Sequence, residues 1–168
     1  MTETVDDIRA DWFRRVLGHF PTGVVIVTAI SDGGPAGLSV GSFTAVSLNP
    51  PLVAILPSRT STSWPRIATA GSFCINILTA HQEGLCRTFA VSGADKFAGV
   101  SWHRAPSGAP VLEETLAWID CDLEQSVEAG DHFIVLGRVR ALDIGHGTVA
   151  APLIFFQGGY GTFGLRVA

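Results

Sequence analysis

The stretch from Gly37 to Leu56, GLSVGSFTAVSLNPPLVAIL, decides how the rest of the chain is read. Its first half is small and hydroxylated, with Ser39, Gly41, Ser42, Thr44, Ala45 and Ser47 around one aromatic, Phe43. Side chains this small open the backbone to close approach rather than filling a core. Asn49-Pro50-Pro51 then makes a stiff corner, and Leu52 to Leu56 continues as an apolar strand. Two strands therefore meet at a rigid turn, and one of them presents amides and hydroxyls. Such a strand is either a crowded barrel corner or a wall against which a flat ligand lies.

On the N-terminal side, Val24 to Ile30 is β-branched and apolar on both faces, and the turn Ser31 to Pro35 hands it to the central stretch as a hairpin. Before it, Ile8, Trp12, Phe13, Val16, Leu17 and Phe20 recur at helical spacing, which predicts an amphipathic helix from Asp6 to Phe20. Thr4 or Asp6 would cap it and Pro21 would stop it. A helix of this kind is expected to cover one opening of the sheet.

On the C-terminal side, hydroxyls crowd around Arg59 in Pro57 to Ser63, just before a predicted helix at Trp64 to Ala70. Hydroxyls and an arginine at a helix start suit a phosphate, although a polar capped loop has the same composition. Phe73 to Leu78 reads as a short strand whose one polar member, Asn76, needs a partner, either backbone or ligand. Ala80 to Val91 is weakly helical with a break at Gly84, and a polar loop follows through Lys96 and Phe97. Leu116 to Val127 alternates strictly, which puts Asp120, Asp122 and Glu124 on a solvated strand face. Glu128 to Asp131 closes a hairpin, His132 opens the return strand, and Pro152 to Tyr160 forms a last strand ended by glycines. About six strands and a few peripheral helices result.

Composition bounds the function. The 168 residues fit one domain, 1–168, and 47% hydrophobic against 15% charged is more apolar surface than one small core needs. A homodimer would cover the surplus. A net charge of −4 without a basic run argues against nucleic acid. No apolar stretch is long enough to span a membrane as a helix, and the acidic N-terminus is unlike a signal peptide, so a cytoplasmic location is expected. Cys74, Cys86 and Cys121 are isolated in apolar contexts and read as reduced packing residues. The five histidines form no metal-ligand set, so no metal is expected.

Phe20 to Thr28, Gly37 to Pro51, Phe73 to Leu78 and Gly130-Asp131-His132 resemble, in order and spacing, the flavin reductase-like family, and the resemblance runs from about Phe13 to Tyr160. It departs at Gly41 and Ala45, where the family often carries Asn and Ser. The resemblance implies a mainly β protein, an antiparallel split β-barrel of the FMN-binding type. It implies an NAD(P)H-dependent flavin reductase using FMN or FAD and NADH or NADPH, a homodimer that supplies reduced flavin to a separate monooxygenase. It assigns Ser39, Val40, Gly41, Ser42, Phe43, Thr44, Ser47 and Leu48 to the flavin wall. Ser58, Arg59, Ser61 and Thr62 would hold the flavin phosphate, with Asn76, Lys96 and Phe97 as further flavin contacts. His132 is the implied catalytic residue, and it would meet the nicotinamide with Phe156 and Tyr160, while Phe155 is expected to be packing. Two alternatives share the fold: an oxidase of the pyridoxamine-phosphate type, which needs a basic cluster for a second phosphate, and a non-catalytic flavin-binding protein.

Overall fold

A computed structural model describes residues 9–93, 95–145 and 151–164. Its strands are β1 Thr22–Gly23, β2 Val25–Ser31, β3 Gly34–Val40, β4 Thr44–Leu48, β5 Pro51–Ile55, β6 Ser72–Ile77, β7 Trp102–Arg104, β8 Pro110–Leu112, β9 Ala117–Ala129, β10 His132–Ile144, β11 Leu153–Phe156 and β12 Gly159–Thr162. Helices α1 Ala10–Leu17, α2 Trp64–Ala70 and α3 Glu83–Ala90 lie between them. Seven strands form one antiparallel sheet in the order β3-β2-β6-β9-β10-β5-β4, whose two edge strands do not pair with each other. The mainly β, split-barrel architecture expected above is the one adopted. More strands occur than the six expected, because pieces such as Thr22–Gly23 and Gly159–Thr162 are too short and glycine-rich to show a period of two.

The central stretch becomes the end of β3, then β4, a turn at Asn49-Pro50 with a cis peptide, and β5. β2 explains why Val24 to Ile30 does not alternate: both of its faces are covered. Val25, Val27 and Ala29 join Trp64 and Ile67 of α2 with Phe73 and Ile75, while Val24 and Ile26 join Cys86 and Phe89 of α3 with Leu112 and Leu153. Each such fully buried aliphatic or aromatic side chain stabilises the fold by about 1.5–3 kcal/mol. Gly71, at φ 72°, ends α2 in the left-handed conformation that glycine adopts without cost. Gly37 lies under the Phe89 ring, where a Cβ would come within 2.5 Å of Cε1, so α3 packs on β3 only because no side chain intervenes.

Four local expectations are corrected. The described part of α1 is shorter than Asp6 to Phe20, and Thr4, Asp6 and Ile8 lie outside the described residues. The helix does not seal the sheet: Trp12, Phe13, Val16 and Leu17 are all exposed, because among the described residues no other element packs over that face. Gly84 does not interrupt α3, being its second residue just after the turn in which Thr79 and Gln82 cap each other. Asp120 is fully buried rather than solvated, accepting hydrogen bonds from the N–H and hydroxyl of Ser107. Beyond it, Asp122 and Glu124 do face outward and pair with Arg140 and Arg138.

Cys74, Cys86 and Cys121 are free and buried, and burial is the main cause that pushes the Cys121 thiol up to about 12 and Cys74 higher still. They are inert packing groups. Among the described residues no helix is long and apolar enough to cross a membrane, and no group of three or more potential ligands is placed to hold a metal.

Candidate functional site

A cleft of about 1940 Å³ opens where four parts of the chain converge. They are the end of β3 running into β4 (Ser39 to Thr44), the loop Ser58 to Ser63, the end of α3 with Lys96, and α1 with the turn that follows it. His132 and Phe155 also line it. Ligand pockets are typically about 300–1000 Å³, so this one has room for two flat ring systems together.

The wall is held by its own small residues. Ser42 Oγ accepts the Leu56 N–H at 2.9 Å and donates to Leu56 O at 3.3 Å, tying the two halves of the central stretch together. A Cβ at Gly41 would lie 2.8 Å from Thr22 Oγ1, so glycine there lets β1 close against the wall. Ser39, Val40, Gly41, Ser42, Phe43 and Thr44 all line the cleft. Ser47 and Leu48 do not: they continue to the tip of the β4–β5 hairpin, where Leu48 is 92% exposed.

The hydroxyl loop coils on itself. Ser58 Oγ and Thr60 Oγ1 pair at 2.9 Å, Thr60 N–H donates to Ser58 Oγ at 3.2 Å, and Trp64 N–H donates to Ser61 Oγ at 3.1 Å. Among the described residues, the N–H and hydroxyl of Thr62 and the N–H of Ser63 have no partner, which leaves donors for an anion at the cleft wall. Thr60 joins this lining and Arg59 leaves it. The Arg59 guanidinium reaches Gly130 O at 3.3 Å and Glu128 at 3.4 Å, drawn to the β9–β10 hairpin by a carboxylate that no local sequence pattern predicts.

Lys96 reaches the cleft from the far side. Its Nζ donates to Gly37 O at 3.0 Å, Ser63 Oγ at 3.0 Å and Phe89 O at 2.9 Å, which uses all three of its protons. Burial holds its pKa below the ordinary lysine value. Lys96 thus contributes charge to the cleft and fixes Ser63, without a proton left to donate to a ligand.

His132 sits at the mouth of the β9–β10 hairpin, in a bridge with Ser58. Its Nδ1 lies 2.7 Å from Asp131 Oδ1, and the hydrogen bond from His132 is the first cause that holds the Asp131 carboxyl below its usual range. An ionised carboxylate only accepts, so Nδ1 carries the proton and Nε2 is the ring nitrogen left for a ligand.

The other expected contacts separate. Asn76 is fully buried away from the cleft; its Nδ2 donates to Ile26 O, Thr28 Oγ1 and Pro110 O, and its Oδ1 accepts the Leu112 N–H at 2.8 Å. Phe97 packs edge-on against Phe89 and Trp102 in the core. Tyr160 lies in a small recess behind the wall, its Oη 3.3 Å from Cys86 Sγ and its ring under Arg87. Phe156 is not part of the lining and meets the His19 ring edge-on, whereas Phe155, expected to be packing, lines the cleft. The pleat decides this, since neighbours on β11 face opposite ways. Sequence reasoning also missed Thr22, which lies in the motif Phe20 to Thr28, and Arg14, which lies in none; only the fold brings them to the cleft.

A small-residue wall, unpartnered donors on the hydroxyl loop and a nearby cation fit a planar ligand that carries a phosphate. Comparison with known proteins agrees. Residues 17–164 match the Flavin reductase like domain. A flavin reductase of Pseudomonas putida is 54% identical over 157 residues, covering 93% of this chain and 91% of the relative. HsaB, the reductase subunit of a flavin-dependent monooxygenase in Rhodococcus jostii, is 45% identical, covering 94% and 78%. The solved structure of the Streptomyces globisporus NADH:FAD oxidoreductase SgcE6, in complex with NAD and FAD fragments, superposes with a TM-score of 0.87 at 35% identity, covering 97% of this chain and 98% of that one. The chain belongs to the flavin reductase-like family.

Proposed function

We propose that this protein is a homodimeric NAD(P)H-dependent flavin reductase that passes reduced FMN or FAD to a separate monooxygenase component. The observation that carries the reading is the cleft itself, roomy enough for a flavin and a nicotinamide and walled by Ser39 to Thr44. The relative HsaB, itself a reductase subunit of a monooxygenase, supports the separate acceptor.

A flavin supplies the hydride acceptor when bound, so the protein's task is orientation and electrostatics. Ser58, Thr60, Ser61 and Thr62 would take the phosphate, with the charge of Lys96 behind Ser63. Val40, Phe43 and Phe155 would border the rings and keep water off them. His132, oriented by Asp131, would hold the nicotinamide through Nε2.

Among the described residues Arg14, Arg15 and Lys96 line the cleft, but Lys96 spends its protons on protein acceptors and Arg15 lies over the Trp12 ring, so the cleft lacks the cluster of free cations that the oxidase alternative needs for a second phosphate. Exposed apolar residues on α1 (Trp12, Phe13, Leu17) and on the outer sheet (Leu48, Ile134, Leu142, Ile144) support a homodimer. Sedimentation at micromolar concentration tests that part, and a monomer there would refute it. Oxidation of NADH and NADPH, with and without FMN or FAD, tests the activity. Turnover should require flavin; if flavin binds and neither nicotinamide is oxidised, the protein is a flavin carrier instead.

A further inference from the structure

We propose that Arg14 anchors the diphosphate of the reduced nicotinamide dinucleotide. This rests on the reductase reading and names a substrate contact that the motifs of the chain do not contain.

NADH and NADPH carry a diphosphate far more acidic than anything the wall of small residues can neutralise, so a cation has to meet it. Of the eleven lysines and arginines in the sequence, ten lie in the described residues. Arg9 is held by Asp11, Arg87 by Glu83, Arg138 by Glu124 and Arg140 by Asp122. Arg59 and Arg66 are bound to hairpin carbonyls, Arg104 to Gly108 O, and Lys96 spends its three protons inside the protein. Arg15 also lines the cleft without a hydrogen bond or ion pair, but its guanidinium is drawn over the Trp12 ring, 5.7 Å from the centroid.

Arg14 remains. Among the described residues its guanidinium has no hydrogen bond and no ion pair within 4 Å, and it lines the cleft from α1. Its neighbour Asp11, which also lines the cleft, is occupied by Arg9 through two hydrogen bonds. Arg14 and His132 line the same cleft, and the charge of Arg14 acts through space on both Asp11 and Asp131, the carboxylate that orients His132. A nicotinamide beside His132 therefore leaves its diphosphate within the field of a guanidinium whose donors are unspent. The planar fork also suits a diphosphate oxygen pair better than an ammonium would.

The test compares two electron donors on Arg14→Gln and Arg14→Lys, with FMN as acceptor. NADH carries the diphosphate; 1-benzyl-1,4-dihydronicotinamide has the same reacting ring and no phosphate. For Arg14→Gln the KM for NADH should rise about tenfold to a hundredfold, the range for one lost charge-assisted contact, with kcat within about twofold. Oxidation of the benzyl donor should stay at the parent rate, and Arg14→Lys should recover part of the NADH affinity. The parent KM for NADH should also rise more steeply with salt than that of Arg14→Gln. Equal losses with both donors would mean that Arg14 merely shapes the cleft, and the assignment falls. It also falls if the KM for NADH is unchanged, or if the loss appears as a weaker affinity for FMN, which would place the guanidinium on the flavin phosphate. Failure of the parent protein to oxidise NADH would instead refute the reductase reading itself.

Discussion

Replacing Lys96 with methionine removes the ammonium and keeps most of the chain that carries it. In the parent, that ammonium joins three elements: the outward carbonyl of Gly37 on the edge strand β3, the last turn of α3 through Phe89 O, and Ser63 ahead of α2. The Ser63 hydroxyl can rotate to another partner, but the two carbonyls lose theirs. An orphaned acceptor costs about 1–3 kcal/mol, and water from the cleft relieves part of this, so the low end applies to each. Removing a partly buried charge returns some of the loss, since burial already holds the Lys96 pKa below 10.5. A net destabilisation of about 1–2 kcal/mol follows, or roughly 3–6 °C in melting temperature for a chain of this length. Between the lowered pKa and the ordinary value, the unfolded chain holds a proton that the folded chain has lost. Stability of the parent should therefore rise with pH relative to Lys96→Met in that window and run parallel below it. Thermal and urea unfolding from pH 7 to 10.5 measure both effects, 10.5 being the ordinary lysine value. An unchanged melting temperature at pH 7 would show that the three hydrogen bonds carry no weight, and would remove Lys96 as the tie between the cleft wall and α3.

Three further outcomes are expected. His132→Ala should slow reduction of bound flavin by NADH roughly tenfold to a hundredfold, the scale of a lost positioning contact, with little change in flavin affinity; stopped-flow reduction at the parent rate would make His132 a structural residue. Ser61→Ala combined with Thr62→Ala should weaken FMN much more than riboflavin, which has no phosphate; equal losses in a binding titration would place the phosphate elsewhere. Asn76→Ala should destabilise the fold by about 3 kcal/mol, because the hydrogen bonds of both buried amide protons and the one accepted from Leu112 N–H go with it. A variant of normal stability with weakened flavin binding would contradict that and return Asn76 to the site.

What could be read from the chain alone was whatever depends on neighbours in sequence. The hairpin at Ser31 to Pro35, the corner at Asn49 to Pro51, the helix Trp64–Ala70 with its stop at Gly71, and the turn before His132 each follow from local backbone preferences. The motif order was enough for the family. Side-chain destinations were not legible, because they are set by what arrives from elsewhere. Arg59 turns from its hydroxyl cluster because Glu128 and Gly130 stand beside it across the fold. Asp120 is buried on a strand whose alternation suggested solvent because the β7–β8 turn brings Ser107 over it. Asn76, equally readable as ligand contact or core, is settled by Thr28, Pro110 and Leu112 closing around it. Phe155 lines the cleft and Phe156 does not because strand pairing fixes which face of β11 meets the cleft. A dihedral preference acts over a few residues, whereas a hydrogen bond or a packed ring needs a partner that only the closed chain supplies.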